Sequence, residues 1–148
     1  MQVQYGNAAW IHAWMALVQE IRDNFPGLET SAALEEHRQT VLRFMEKKQA
    51  LCVRDGEEIL GVLLFSRNRH MICCLGVSPR HRRQGIASLL LTEALAQLDG
   101  ARTITVTTFR EQDPRGAAPR ALYQKFGVQP GALVEALGYP CQEFVRYP

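Results

Sequence analysis

A basic turn between an apolar strand and an apolar helix carries the residues best suited to chemistry in this sequence. The strand covers His70 to Val77, and Arg82, Arg83 and Gly85 lie where the chain turns into the helix predicted over 84–98. The free amide groups of a first helical turn, with the positive end of the helix dipole, form a natural phosphate site. Glycine lets an anion approach the backbone, and arginines add charge-assisted hydrogen bonds. The turn therefore predicts a site for a diphosphate.

Two familiar phosphate loops do not fit this turn. A Walker loop needs a Gly-Lys dipeptide, and the sequence contains none. A dinucleotide fingerprint needs G-x-G-x-x-G, whereas Gly76 and Gly85 are too far apart. Two other interpretations stay open: a solvated basic surface, and a nucleic-acid-binding patch that also uses Arg80 and His81. A nucleic-acid-binding patch predicts affinity for DNA or RNA that falls steeply with salt, and the formal net charge of +2 argues against it.

The hydrophobic pattern predicts the elements that position the turn. Apolar residues at helical spacing predict a first helix ended by Phe25-Pro26-Gly27, and a second that follows Thr30 or Ser31, either of which suits an N-cap. Asp55-Gly56 predicts a tight hairpin. The predicted strands are 50–54, 59–66, 70–77, 103–109 and 142–147. The predicted helices are 8–23, about 31–49, 84–98, 119–126 and, after a loop through Pro130-Gly131, a weak 132–137.

Length and composition favour one globular domain over residues 1–148. The chain has 47% hydrophobic and 22% charged residues, and its apolar runs are too short to span a membrane. The N-terminus lacks a basic segment followed by an apolar one, so we expect a cytoplasmic protein without membrane or nucleic-acid partners. Its four cysteines form no C-x-x-C pair, so we expect reduced thiols and no bound metal.

The segment from Arg82 to Ala87 resembles the [QR]-x-x-G-x-[GA] signature of the GNAT superfamily of acyl-CoA N-acyltransferases. Arg82, Gly85 and Ala87 fill its three defined places. A second block, Ala121 to Val128, is similar to the family's A-x-x-L-Y-x-K-x-G-F pattern, and the predicted order of elements fits the family from residue 8 to 147. The resemblance implies an α/β (α+β) fold with a mixed, twisted and splayed sheet flanked by helices.

The resemblance also implies the cofactor, the reaction and the site. Acetyl-CoA would serve as co-substrate without a metal, and an acetyl group would pass directly to a primary amine on a small molecule or peptide. The implied cofactor-binding residues are Leu75, Gly76, Val77, Arg82, Arg83, Gln84, Gly85, Ile86, Ala87 and Ser88. The family leaves a homodimer open. A second function also stays open, a non-catalytic acyl-CoA-binding or sensor module.

Tyr123 is the one catalytic residue that the resemblance assigns. Its phenol would lie near the cofactor sulfur and donate a proton or hydrogen bond to the departing thiolate. The alternative is a packed aromatic residue. Many members carry a glutamate on the strand where this chain has Cys73, so the resemblance assigns no general base. Gly116 and Pro119 replace an Asn and an Ala that are frequent in the family.

Other polar residues are weaker candidates. Cys73 and Cys74 are expected to point to opposite faces of a strand, and a cysteine nucleophile is the less favoured interpretation. His37, His70 and His81 lack a carboxylate partner by spacing and are expected to be solvated. Four acidic residues could line a site for a cationic amine, although each is more commonly a surface charge: Glu57, Glu111, Asp113 and Glu143.

Overall fold

Strands in the order β1-β2-β3-β4-β5-β7-β6 form one mixed sheet in the computed structural model, which describes residues 1–24, 27–136 and 138–148. The strands are β1 (Val3–Tyr5), β2 (Ala50–Asp55), β3 (Glu58–Ser66), β4 (Met71–Val77), β5 (Ile104–Phe109), β6 (Gln129–Ala136) and β7 (Tyr139–Arg146). Neighbouring strands are antiparallel except β4 and β5, which are parallel. The helices are α1 (Ile11–Ile21), α2 (Ser31–Glu46), α3 (Ile86–Gln97) and α4 (Ala117–Lys125).

Two hydrophobic clusters lie on opposite faces of the sheet. Apolar residues of α1 and α2 pack on one face of β2 and β3, around the fully buried Trp14 and Val41. Residues of α3 and α4 pack on the other face, where Leu90 and Tyr123 meet β2, β3, β5 and β7. Because β3 is covered on both sides, it is an almost continuous apolar run. This mixed sheet with helices on both faces confirms the expected fold class.

Local sequence accounts for the start of α2 and for the turn between β2 and β3. Thr30 caps α2, since its hydroxyl oxygen accepts a hydrogen bond from the amide of Ala33 at 3.0 Å. The predicted hairpin turn is formed by Gly56 and Glu57, between the paired residues Asp55 and Glu58, and Gly56 adopts a φ of +61°. The Phe25-Pro26 part of the predicted stop after the first helix lies outside the described residues.

The sheet splits between β4 and β5. The last parallel pair joins Ile72 to Val106, yet β4 continues to Val77 and β5 to Phe109. Beyond that pair the two strands diverge and leave a gap, while β5 stays paired with β7 as far as Phe109. The splayed sheet implied by the family resemblance is therefore present.

A β-bulge sits beside this gap. The pairing with β3 joins Ile72 and Cys74 to consecutive residues of β3, so Cys73 is an extra residue. Because of the bulge, Ile72 and Leu75 are three residues apart and still pack on the same core, whereas Cys74 packs on the α1/α2 side. Cys73 itself is exposed.

The helix α3 packs closely on the sheet at Gly61 of β3. A Cβ atom at Gly61 would lie 2.5 Å from Cγ2 of Ile86 and 3.1 Å from Cδ1 of Leu90. Both distances are shorter than ordinary van der Waals contact, so the missing side chain lets the first turns of α3 approach the strand. This close contact sets the distance between the start of α3 and the strands β3 and β4.

The C-terminal part of the chain differs from the sequence-based expectation. The predicted loop at Pro130-Gly131 and the predicted helix 132–137 are wrong, because 129–136 form the edge strand β6, with a bulge between Pro130 and Leu133. Leu137 lies outside the described residues. The helix expected from Pro119 starts earlier, at Ala117. The short strand β1 had no counterpart in the prediction. Within the described residues, no helix is both long and apolar enough to cross a membrane.

Candidate functional site

The turn from β4 into α3 has an unusual backbone. Arg83 and Gly85 both have positive φ values, +64° and +79°. Gly85 is the N-cap of α3, and its carbonyl accepts the amide of Leu89 at 3.0 Å. No described side chain caps this helix, so its first amides keep their hydrogen-bonding capacity. Left-handed residues before an uncapped helix form a concave set of N–H donors that suits an anion.

Two arginines beside these amides are available to a ligand. Arg82 and Arg83 are exposed, and neither forms an ion pair with a described carboxylate. A Cβ at Gly85 would meet no atom within 4 Å, so the space in front of the helix start is open. Donors, positive charge and open space thus coincide at this turn, as a diphosphate requires.

Arg80, three residues after Val77, differs from Arg82 and Arg83 because it forms ion pairs. Its Nη2 lies 3.4 Å from Oε2 of Glu58 and 3.8 Å from Oε2 of Glu20, so two carboxylates neutralise it. The Glu58 carboxylate is also 3.8 Å from Nε2 of His81, the partner that sequence spacing did not reveal. Exposed pairs of this kind contribute little to stability. Their effect is to tie the basic turn to α1 and to the β2–β3 hairpin.

A cleft of about 770 Å³ runs from the basic turn to α4. Of the residues predicted to bind the cofactor, Leu75, Gly76, Val77, Arg82, Arg83, Gly85, Ile86, Ala87 and Ser88 line the cleft. Gln84 is exposed and is not part of its lining. Tyr123 also lines it, so the predicted catalytic residue and nine of the ten predicted binding residues share one cavity.

Sequence reasoning missed the other lining residues. They are Ile21, His81, Pro114, Arg115, Ala118, Pro119 and Leu122. His81 belongs to the basic turn itself, whereas the others come from the end of α1, from the segment between β5 and α4 and from α4, all far from the turn in sequence. Arg115 is the most informative of them: its Nη2 is 2.7 Å from Oδ2 of Asp113, and its Nη1 donates to the carbonyl of Asp23 at 3.2 Å. This arginine links the two segments at one end of the cleft.

Tyr123 lies deep in the cleft wall. It is 4% exposed, and its ring centroid is 6.1 Å from that of Phe144. Burial raises the pKa of its hydroxyl, so the phenol is protonated at neutral pH. A phenol with a raised pKa is a weaker acid than a thiol of pKa about 8.5. Its position therefore suits hydrogen-bond donation to a developing thiolate better than complete proton transfer.

The cysteines beside the gap are poor bases and nucleophiles. Desolvation raises the pKa of Cys73 to about 11 and that of Cys74 to about 12. Both thiols are therefore protonated at neutral pH, and the thiolate is the reactive form. His70 is not solvated, contrary to expectation: it is buried, its Nδ1 donates to the Thr103 carbonyl and its Nε2 accepts the Asp99 amide, each at 3.0 Å. That histidine joins the start of β4 to the end of α3.

The cleft combines an anion site, an exposed strand and a buried hydroxyl. Main-chain groups of Leu75 to Val77 face the gap left by β5, since beyond Ile72 this edge of β4 has no partner strand. An extended ligand with a diphosphate at one end and a reactive group at the other fits this arrangement. In the described part of the chain, no group of three or more His, Cys, Asp or Glu side chains is placed to hold a metal ion.

Solved structures with the same fold are numerous. A GNAT-family acetyltransferase from Bacillus cereus superposes with a TM-score of 0.76 at 18% identity, over 99% of this chain and 96% of that one. The PaiA N-acetyltransferase from Thermoplasma acidophilum, solved with coenzyme A, gives 0.72 at 13% identity, over 99% and 98%. An acetyltransferase from Salmonella typhimurium that modifies the N-terminal serine of ribosomal protein L7/L12 gives 0.69 at 15% identity, over 99% and 94%.

A family model provides the evidence beyond the fold. No curated protein matches the sequence. The model described as the acetyltransferase (GNAT) family matches residues 14–128, which contain most of α1, all of α2 to α4, the basic turn and Tyr123. This match covers most of the chain and confirms the resemblance carried by the two sequence blocks. The chain therefore belongs to the GNAT family of acetyltransferases.

Proposed function

We propose that this protein is an acetyl-CoA-dependent N-acetyltransferase that transfers the acetyl group directly to a primary amine. The observation that carries the proposal is one continuous cleft, with the uncapped start of α3 at one end and Tyr123 along its wall. Membership of an acetyltransferase family and the coenzyme A complex of one structural neighbour support it. We also propose that residues 1–148 act as one domain.

In this proposal the diphosphate of acetyl-CoA lies on the amides of Gly85 to Ser88, between Arg82 and Arg83. Their charge-assisted hydrogen bonds are worth about 1.5–3 kcal/mol each when well aligned. The pantetheine arm follows the free edge of β4 from Leu75 to Val77. No metal takes part, because the amides and arginines satisfy the phosphates themselves.

Acetyl-CoA supplies an acetyl group activated as a thioester. The chain orients it, and a main-chain N–H of the free β4 edge polarises the carbonyl oxygen. Tyr123 donates a hydrogen bond to the sulfur as the thiolate leaves. The half-buried lining of Leu122 and Pro119 limits the access of water to this step.

The acceptor is a primary amine of a small molecule or a peptide. One structural neighbour modifies the N-terminal serine of a ribosomal protein, so peptide N-termini belong among the candidates. We also place the protein in the cytoplasm, since the exposed thiol of Cys73 suits a reducing compartment.

The direct test combines binding and turnover. Calorimetry in the presence of EDTA measures acetyl-CoA affinity, and thiol release is followed with polyamines, aminoglycosides, amino acids and peptides with free N-termini. We expect chelator-independent binding and amine-dependent thiol release. Binding without turnover on any amine would leave the acyl-CoA sensor as the function. Loss of binding with EDTA and its return with a divalent ion would refute the cofactor site.

A further inference from the structure

The gap between β4 and β5 opens onto both faces of the sheet. On the α3/α4 face lie the cleft and Tyr123. On the opposite face, the hydrophobic cluster formed with α1 and α2 includes β2, β3 and Cys74 of β4, and it contains no described residue of β5, β6 or β7. That side of β5 and β7 therefore lies outside the α1/α2 cluster, although Phe109, Cys141 and Val145, which alternate onto it, are themselves buried. We call its half-buried part, at Thr107 and Glu143, the open face.

Glu143 lies on the open face beside the gap. Ile72, Val106 and Phe144 form one row across β4, β5 and β7, and this row contains the last β4–β5 pair. The next row pairs Thr107 with Glu143. Since Val106 and Phe144 pack in the α3/α4 core, Thr107 and Glu143 point the other way. Glu143 is thus one strand spacing, roughly 4.8 Å, from the start of the gap.

Glu143 is a carboxylate without an ionic partner among the residues that the structure describes. It is half-buried, and no Lys, Arg or His nitrogen of the described residues lies within 4.0 Å of it. The other acidic candidates differ: Glu57 and Glu111 are exposed, and Asp113 is paired with Arg115. A half-buried, unpaired carboxylate loses hydration without gaining a cation. A bound ammonium group would supply that cation.

We propose that Glu143 binds the acceptor ammonium on the open face and accepts its first proton, directly or through one water molecule. This assignment rests on the proposed N-acetyltransferase function. It places the amine and Tyr123 on opposite sides of the same gap. The amine then attacks the thioester carbon from the open face, while Tyr123 contacts the sulfur from the α3/α4 face.

Each acetyl transfer removes two protons from the ammonium nitrogen. The ammonium gives one proton to Glu143, and the neutral nitrogen attacks the thioester carbon. The C–N bond forms, the C–S bond breaks, and the electron pair of that bond leaves on sulfur. The second nitrogen proton ends on the thiol through solvent, while Tyr123 keeps its own proton and stabilises the thiolate. Glu143 then releases its proton to solvent, so one proton is produced for each acetyl group transferred.

Other titratable groups border the open face. Cys74 of β4 is protonated, since its pKa is raised to about 12 by burial. At the far end of the strand, Tyr139 of β7 donates a hydrogen bond to Glu29, and Arg115 neutralises Asp113. These pairs satisfy one another, so Glu143 is the carboxylate beside the gap that can respond to an amine.

Glu143→Gln tests the proposal, with Glu135→Gln as the matched control. Glu135 is an exposed residue of β6 that pairs with Pro140, so it points away from the open face. The probes are spermidine and a short peptide with a free N-terminus, both cationic at pH 7, and hydroxylamine, which is unprotonated there. Acetyl transfer is followed from pH 7 to 9, with calorimetry of acetyl-CoA and thermal melting of each variant.

We expect Glu143→Gln to lower kcat/KM for the cationic amines by about 100-fold or more at pH 7, as loss of a general base does. For spermidine, with amine pKa values of about 10.4, the deficit should shrink about tenfold per pH unit, because free amine becomes available in solution. For the peptide, whose α-amine has a pKa of about 7.7–8.0, the deficit should shrink only up to about pH 8. Glu143→Gln should lower the rate of acetyl transfer to hydroxylamine by less than about threefold, because this amine is already neutral and needs no base. The acetyl-CoA affinity of Glu143→Gln should stay near that of the wild type. The control Glu135→Gln should keep the wild-type kcat/KM for all three probes.

Two results would overturn the assignment. Equal losses for hydroxylamine and the cationic amines at every pH would mean that Glu143 has a structural role, and an unchanged Glu143→Gln would remove it from the reaction. A wild-type protein that acetylates none of the three probes would instead refute the proposed function itself, and this assignment with it.

Discussion

Gly85→Asp should show whether the basic turn binds an anion, independently of its effect on folding. Gly85 has a φ of +79° and caps α3, and a Cβ there would meet no atom within 4 Å. A side chain therefore fits sterically, and the cost is the left-handed backbone. Asp and Asn adopt this conformation more readily than other residues with a side chain. The pair Gly85→Asp and Gly85→Asn thus differs in charge with almost the same shape.

Gly85→Asp should be more stable than Gly85→Asn but should bind acetyl-CoA more weakly. Either substitution should cost up to about 1 kcal/mol of stability, or about 2–4 °C in Tm for a chain of this size. Asp should be the more stable of the two by about 0.3–1 kcal/mol, because its charge faces the positive end of α3. A carboxylate roughly 5 Å from a phosphate charge repels it by about 1–3 kcal/mol at effective dielectric constants of about 20–80. That repulsion weakens acetyl-CoA binding by about 5- to 150-fold.

The assay is calorimetric titration of acetyl-CoA at low ionic strength, with a thermal melt of each variant. Gly127→Asp is the control for backbone strain, because Gly127 has a φ of +78°, equally open surroundings and no place in the cleft. It should lose stability and keep its affinity. Added salt should narrow the difference between Gly85→Asp and Gly85→Asn, since salt screens exposed charges.

Equal acetyl-CoA affinity of folded Gly85→Asp and Gly85→Asn proteins at low salt would contradict an anion site at this turn. In that case no phosphate lies near this turn, and the proposed function loses its main physical support. Weak binding by Gly127→Asp would instead show that strain at any left-handed glycine disturbs the cleft.

Three further predictions concern single side chains. Tyr123→Phe keeps the packed ring, so it should lower kcat roughly tenfold in single-turnover measurements with acetyl-CoA affinity nearly unchanged; an unaltered rate would make Tyr123 a packing residue. Arg82→Ala should weaken acetyl-CoA binding by about 1–3 kcal/mol, whereas Arg80→Ala should change it little because two carboxylates already neutralise Arg80; equal losses by calorimetry would contradict this difference. Cys73 is exposed at the surface, but partial desolvation raises the pKa of its thiol to about 11; because a thiolate of higher pKa is also more nucleophilic, it should react with iodoacetamide only about tenfold more slowly than a free cysteine below pH 9, and mass spectrometry of the labelled protein measures that rate.

The basic turn was predictable because its determinants are contiguous. Arg82 to Ser88 carry charge, a glycine and a helix start within one short segment, so local rules are sufficient to indicate an anion site. Arg115 and Ile21 reach the same cleft from distant segments, and no spacing rule connects them to the turn. The partners of Arg80 were missed for the same reason, since Glu20 and Glu58 lie on other elements.

The errors at the C-terminus come from tertiary pairing. Pro130 and Gly131 are turn residues by local preference, but an edge strand tolerates proline, and a bulge accommodates the irregular register. Pairing with β7 then extends 129–136, which contain no strong alternating pattern. β1 has three residues and exists through its pairing with β2. Neither strand has a sequence signal strong enough to exceed the local preferences.

The bulge at Cys73 shows the limit of the period-two rule. Simple alternation would place Ile72 and Cys74 on the same face, but they pack on opposite faces because Cys73 is an extra residue that shifts the register. That shift depends on the pairing with β3 and sets which residues after Ile72 face the cleft. It follows that Leu75 was predicted on the site by family resemblance and could not have been placed there by periodicity.

Gly61 has a consequence for natural variation in this protein. It does not line the cleft, yet its bare backbone supports Ile86 and Leu90 at the start of α3. Even Gly61→Ala would insert a methyl group into that contact, and overpacking of this kind commonly costs about 1–3 kcal/mol or shifts the helix. A displaced α3 carries the diphosphate amides with it. A natural substitution of Gly61 would therefore weaken cofactor binding, although Gly61 does not line the cofactor cleft.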